Sequence, residues 1–161
     1  MAGPLGLVPI VVSADALRAT ALGTAALFLR GSVVHSLEGK VRIALGAHPV
    51  EDSAVIGKQQ FGHRRQDCSA EELDTYRRYK RVLANELENI PLAHTAMWGA
   101  LLCNGNPRAH AIATGVFVAA RVIFDIAYIK KLQPLRSISF MISQGALIAL
   151  IANGLHGLGF F

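Results

Sequence analysis

The chain has 161 residues, of which 52% are apolar and 17% charged, with a net charge of +5 and a mean hydropathy of +0.38. Soluble domains usually carry about 25% charge, so the deficit argues against a soluble fold and points to a hydrocarbon environment. The positive balance invites a nucleic-acid reading that the apolar excess argues against; basic residues in a membrane protein set orientation instead.

A membrane span needs about 20 mostly apolar residues, and four segments qualify. The first runs near residues 7–29 and is interrupted by Asp15 and Arg18. No basic stretch precedes it before Arg18, so it reads as a retained span, not a signal peptide. Asp15 and Arg18 stand at i, i+3 and read as a self-satisfied pair.

A polar stretch over residues 38–80 follows and holds most of the charge, including Lys40, Arg42, Lys58, Arg64, Arg65, Arg77, Arg78 and Lys80. It contains Cys68; with Cys103 and no C-x-x-C spacing, this indicates neither a disulfide framework nor a metal site. Ser69 and Glu72 form an S-x-x-E capping box, so the second helix is expected to start near Ala70, well before its apolar part at residues 82–102.

Asn106 and Pro107 fit the N-cap and first turn of a third helix, with its span at residues 107–129. The connection over residues 103–106 is short, which makes helices two and three antiparallel neighbours. Pro134 breaks the chain before the fourth span, residues 135–158. Lys130, Lys131 and Arg136 lie near that break, on the same side as the long basic loop, while the opposite side offers Arg108. The positive-inside rule then puts both basic loops in the cytosol and both termini in a lumen or outside. Phe160 and Phe161 suit an interfacial anchor.

A charged residue inside a span costs at least about 2.5 kcal/mol on insertion scales and is by default paired or functional. Arg81, Asn85 and Glu88 fall at i, i+4, i+7 and share one helix face; Asn89 lies beside them and Pro91 follows. Arg121, Asp125 and Tyr128 repeat that spacing in the third helix, and Arg136 and Ser137 open the fourth. All lie toward the basic end of their helices, where they can converge on one polar pocket. The competing reading is structural: Arg81 and Arg121 snorkelling to the interface and Glu88 stitching the bundle. His94 and His156 lack a second ligand at metal spacing and read as hydrogen-bonded bundle residues. Arginines with Asn, Glu, Tyr and Ser suit an anionic polar ligand carrying carboxylates, an amine and a thiol. Arg binds carboxylates bidentately, and a nearby cation lowers a thiol's pKa.

RVLANELENIP (81–91) followed by ARVIFDIAYIKKLQPLRSISF (120–140) resembles the MAPEG family, the membrane-associated proteins of eicosanoid and glutathione metabolism. The likeness extends to GKVRIALGAHPVED (39–52). It is nearest to the microsomal glutathione transferase and microsomal prostaglandin E synthase branch. The resemblance implies an all-α protein, a single four-span domain over residues 1–161 whose protomers assemble as a homotrimer. It implies glutathione as co-substrate, bound between subunits near the cytosolic face, with a hydrophobic or lipid co-substrate from the bilayer and residence in the endoplasmic reticulum. Residue by residue it assigns glutathione binding to Arg42, Arg81, Asn85, Glu88, Arg121 and Tyr128, and places Arg136 and Ser137 beside the thiol. Asp52 aligns loosely with a loop acid of the synthase. From the cysteine and histidine spacing and the apolar excess, no metal site and no nucleic-acid partner are expected. Ala84, Phe124, Asp125 and Phe140 depart from the synthase pattern, the loop at Gln133–Pro134 is one residue shorter, and Pro91 falls three residues after Glu88. These departures favour a generic transferase or peroxidase over the isomerase. The alternatives are a synthase-like isomerase, a non-catalytic lipid-binding scaffold, and a small transporter; the absence of inverted repeats lowers the last.

Overall fold

The computed structural model describes residues 10–56 and 68–160. Their order is α1 (Ala14–Ala44), a 3₁₀ turn (Val50–Asp52), α2 (Ser53–Ile56), α3 (Ala70–Leu101), α4 (Pro107–Ile129) and α5 (Leu135–Gly157), with no strand among the described residues. The expected starts are where local chemistry puts them. Ser69 Oγ accepts from Glu72 N at 3.2 Å and Glu72 Oε2 accepts from Ser69 N at 2.9 Å, a complete capping box. Asn106 Oδ1 accepts from Arg108 N at 2.9 Å and Ala109 N at 3.1 Å, with Pro107 in the first turn. α5 begins directly after Pro134.

Two boundaries differ from the sequence reading. α1 runs on to Ala44 instead of ending near residue 29, and it absorbs part of the stretch read as loop. The connection to α3 is correspondingly shorter, and Lys58, Arg64 and Arg65 lie outside the described residues, as do the first residues of the N-terminal span and Phe161.

α1, α4 and α5 are long and apolar enough to cross a membrane. α3 is 32 residues long but falls short in apolar character; Asn85, Glu86, Glu88, Asn89 and His94 dilute its middle. The four long helices pack on one another, α4 most extensively on α5, and α1 against both α3 and α4. Each contributes to one core: Leu27, Ala93, Met97, Ala113, Phe117, Ala146 and Leu150. The outward surface is apolar as well, with Leu22, Phe28, Leu87, Ile112, Met141 and Ile148 exposed. That pattern suits contact with lipid.

At one end α5 closes against the α3–α4 turn. A Cβ on Gly157 would stand 2.1 Å from Cys103 O and 2.4 Å from Gly105 N, so only glycine permits this approach. Asn153 reinforces it, accepting from Asn106 N at 2.9 Å and donating to Asn106 O at 3.2 Å.

Candidate functional site

Two layers of polar residues lie along α4. The deeper one is an ionic cluster joining three helices. Arg30 of α1 donates through Nε to Asp125 Oδ2 of α4, through Nη2 to Asp125 Oδ1 at 3.1 Å, and through Nη2 to Glu86 Oε1 of α3 at 2.5 Å. The side chains of Arg30 and Glu86 are 7% exposed and that of Asp125 6%. Arg121, fully buried, donates to Asn85 Oδ1 at 2.6 Å and lies over the Phe124 ring at 4.8 Å. The helix periodicity explains the grouping: Arg121 and Asp125 are one turn apart on α4 and face inward together. Two guanidinium and two carboxylate groups balance in charge, which a buried cluster requires. Asn89 continues the polar line, its Oδ1 accepting from Gln144 Nε2 of α5 at 2.8 Å.

The second layer is a cavity of about 340 Å³ lined by Phe124, Tyr128, Arg136, Ser137, Phe140 and Met141. The Arg136 guanidinium stands 4.9 Å from the centre of the Tyr128 ring, a cation–π distance. Phe124 packs between Tyr128 and Phe140, at ring separations of 5.7 and 6.1 Å. The Gln133 amide lies beside both polar groups. It is 3.3 Å from the Ser137 hydroxyl and, with its oxygen turned to the guanidinium, 3.0 Å from Arg136 Nε. Arg78 of α3 reaches across to Tyr128 O at 3.3 Å and holds this end of α4 against α3.

Tyr128, Arg136 and Ser137 therefore share one cavity, and Arg121 with Asn85 lies one layer deeper, joined to it through Phe124. The remaining residues that the sequence singled out are elsewhere. Arg81 and Glu88 share a face of α3, as their spacing requires, but that face is exposed and turned away from the core. Arg42, near the end of α1, faces Glu38 at 3.9 Å. Asp52 is exposed in the 3₁₀ turn. Asp15 and Arg18 pair at 3.6 Å on the surface. His94 differs from the expectation of a hydrogen-bonded residue: its Nε2 is buried with no partner.

The family model of MAPEG, described as the MAPEG family, matches residues 19–156. The chain belongs to the MAPEG family. A search of curated proteins gave no match. The matched region takes in both polar layers and all four long helices apart from the first residues of α1 and the last of α5. MAPEG membership agrees with membrane glutathione chemistry at the level of the family.

Two members of the deeper layer were missed in the sequence. Arg30 sits one residue past the assumed end of the first span, in the run ALFLRGSVV. Its signal was a single cation flanked on both sides by apolar residues. Glu86 was passed over for Glu88 because the i, i+4, i+7 count from Arg81 selects Glu88. Counting instead from the apolar residues Val82, Ala93 and Met97 puts Glu86 on the buried face.

Proposed function

We propose that this MAPEG member is a membrane-bound glutathione transferase with peroxidase capacity, working at the cavity between α4 and α5. The observation that carries the reading is the convergence of Tyr128, Arg136 and Ser137 on one cavity, at the end of the molecule where Lys130 and Lys131 follow α4. In this reading the protomer is a four-span bundle, with α3 crossing despite its polar middle. The basic ends are cytosolic, the termini are lumenal, and the membrane is the endoplasmic reticulum.

The chemistry asked of the site is stabilisation of a thiolate. A guanidinium cannot give up its proton at physiological pH, so Arg136 offers a permanent positive charge to the glutathione sulfur and favours its ionised form. The Tyr128 ring and Gln133 restrict where that charge can sit; Ser137 offers a hydroxyl donor beside it. The thiolate sulfur attacks an electrophilic carbon, forming a C–S bond as the leaving group departs with its electron pair. With a lipid hydroperoxide, the sulfur takes the terminal oxygen, releasing an alcohol. The resulting sulfenic acid condenses with a second glutathione to give the disulfide and water. Apolar Phe124, Phe140 and Met141 line the same cavity and suit a hydrophobic co-substrate entering from lipid.

Arg81 and Glu88 enter through assembly. Both are exposed on α3, and facing lipid would cost about 2.5 kcal/mol or more each. A homotrimer gives them a neighbouring subunit to face. They, Asn85 and Arg42 would then hold the charged ends of glutathione at the subunit boundary. The test is turnover by the purified protein, with hydrophobic electrophiles and lipid hydroperoxides. Glutathione-dependent conjugation or reduction is expected. Failure across several substrates of both kinds sinks the proposal and favours the scaffold reading, which glutathione binding would then decide.

A further inference from the structure

Asn85 of α3 and Arg121 of α4 meet in the deeper layer, and the chemistry of the pair fixes how the amide is turned. A guanidinium carries donors and no acceptor. The Asn85 atom that Arg121 Nη2 approaches at 2.6 Å is therefore the oxygen, and the amide nitrogen is turned away from it. Asn85 is half-buried. Its Nδ2 has no hydrogen-bond partner among the described residues and is not enclosed by the bundle. Two N–H donors thus remain available to a ligand.

Arg121 makes this contact although two acids stand in the same layer. Asp125 is one turn along α4 and faces inward with it; Glu86 follows Asn85 on α3. Either carboxylate is a better partner for a guanidinium than a neutral amide, since hydrogen bonds between charged groups are roughly twice as strong as neutral ones. Yet among the described residues Asp125 and Glu86 form ion pairs with Arg30 and not with Arg121, whose Nε and Nη1 are buried without a partner. Arg30 accounts for this. It engages both oxygens of Asp125 and one oxygen of Glu86, and Arg121 is left with the amide.

We infer that Arg30 is a positioning residue for glutathione: by holding Asp125 and Glu86 it keeps Arg121 on Asn85, which presents the Asn85 amide N–H groups to a glutathione carboxylate. Arg121, fully buried, acts through Asn85 and does not touch the ligand. Losing Arg30 frees Asp125 beside the unpaired edge of Arg121; the guanidinium turns to the acid and releases the amide. The inference rests on the glutathione reading and adds to it a residue that does not line the Arg136 cavity.

The test is the affinity of the full chain for glutathione in detergent micelles, by calorimetric titration, together with kcat and the KM for glutathione in conjugation of a chlorodinitrobenzene. Arg30→Met should weaken binding and raise KM roughly three- to tenfold, about the worth of one hydrogen bond. It should leave kcat near that of wild type, because Arg136 is untouched. Two double variants separate positioning from stability. Arg30→Met with Glu86→Gln and Arg30→Met with Asp125→Asn each leave one cation to one carboxylate, so both should recover stability. Only the second removes the acid that competes for Arg121, so only the second should restore affinity. Should Arg30→Met not fold, the two doubles carry the comparison alone. Equal affinity in the two doubles, wild-type affinity in Arg30→Met, or a fall in kcat with KM unchanged would each overturn the inference while wild type still binds glutathione. A wild type that binds no glutathione overturns the glutathione reading itself, and this inference with it. Calorimetry needs no turnover, so the comparison decides the inference even where wild type binds glutathione without conjugating it.

Discussion

Replacing Arg30 with methionine is the sharpest test of the deeper polar layer. The substitution keeps an apolar stem of similar length and removes the guanidinium. Glu86 loses a bond of 2.5 Å and Asp125 loses two. Before the change, two cations face two carboxylates; afterwards Arg121 alone faces both. Because the three side chains are 6–7% exposed, the small values measured for surface pairs do not apply. Breaking a buried pair by removing one partner costs about 3–5 kcal/mol, most of it from the charge left behind. Arg30→Met should therefore lower stability by about that much, measured by equilibrium unfolding of the micellar protein in rising SDS with helicity as the signal. Adding Glu86→Gln restores the balance, one cation to one carboxylate, and should recover a large part of the loss. Such recovery is the coupling expected of residues in one network. A loss below about 1 kcal/mol for Arg30→Met would refute the reasoning, as would a double variant whose loss is the sum of the two single ones.

Other outcomes follow from the same geometry. Gly157→Ala forces a methyl into the backbone of Cys103 and Gly105 and should cost about 1–3 kcal/mol in the same assay. Gly145→Ala, where nothing lies within 4 Å, should be neutral or gain up to about 1 kcal/mol; equal effects at the two positions would contradict the packing described. At the basic end, the Lys131 ammonium 2.8 Å from Asp74, with Arg78 at 3.0 Å, holds the Asp74 carboxyl below its usual range. A lowered carboxyl pKa stabilises the fold above the unfolded value of about 3.9, and that contribution fades as pH falls through the lower folded value. Wild type should therefore melt above Asp74→Asn at neutral pH, with the gap closing below about pH 4; a gap independent of pH contradicts the assignment.

The legible parts of this molecule in the sequence were the local ones. The Ser69–Glu72 box, the Asn106–Pro107 start and the Pro134 break depend on a few neighbouring residues and appear as expected. The pairing of Tyr128 with Arg136 and Ser137 was legible because a short connection forces those helix ends together. Less legible was direction. A spacing of i, i+4, i+7 identifies a shared face but does not say whether that face meets a neighbour or the outside. For Arg81 and Glu88 it is the outside, because α1 packs on the adjacent face of α3 and supplies Arg30 to Glu86. The end of α1 was equally hidden. Hydropathy falls at Arg30, yet the helix continues through it to Ala44, with Arg30 paired to Glu86 and Asp125 inside the bundle.

The central claim is that the Arg136 cavity activates a thiol. It is tested most directly by mixing glutathione with the purified protein and following the ultraviolet absorbance of the thiolate, in wild type and in Arg136→Ala. The account expects a thiolate signal in wild type at a pH where free glutathione shows little, and a reduced signal in the variant. A signal of equal size in Arg136→Ala would contradict it and move the activating charge elsewhere, with Arg121 the next residue to test.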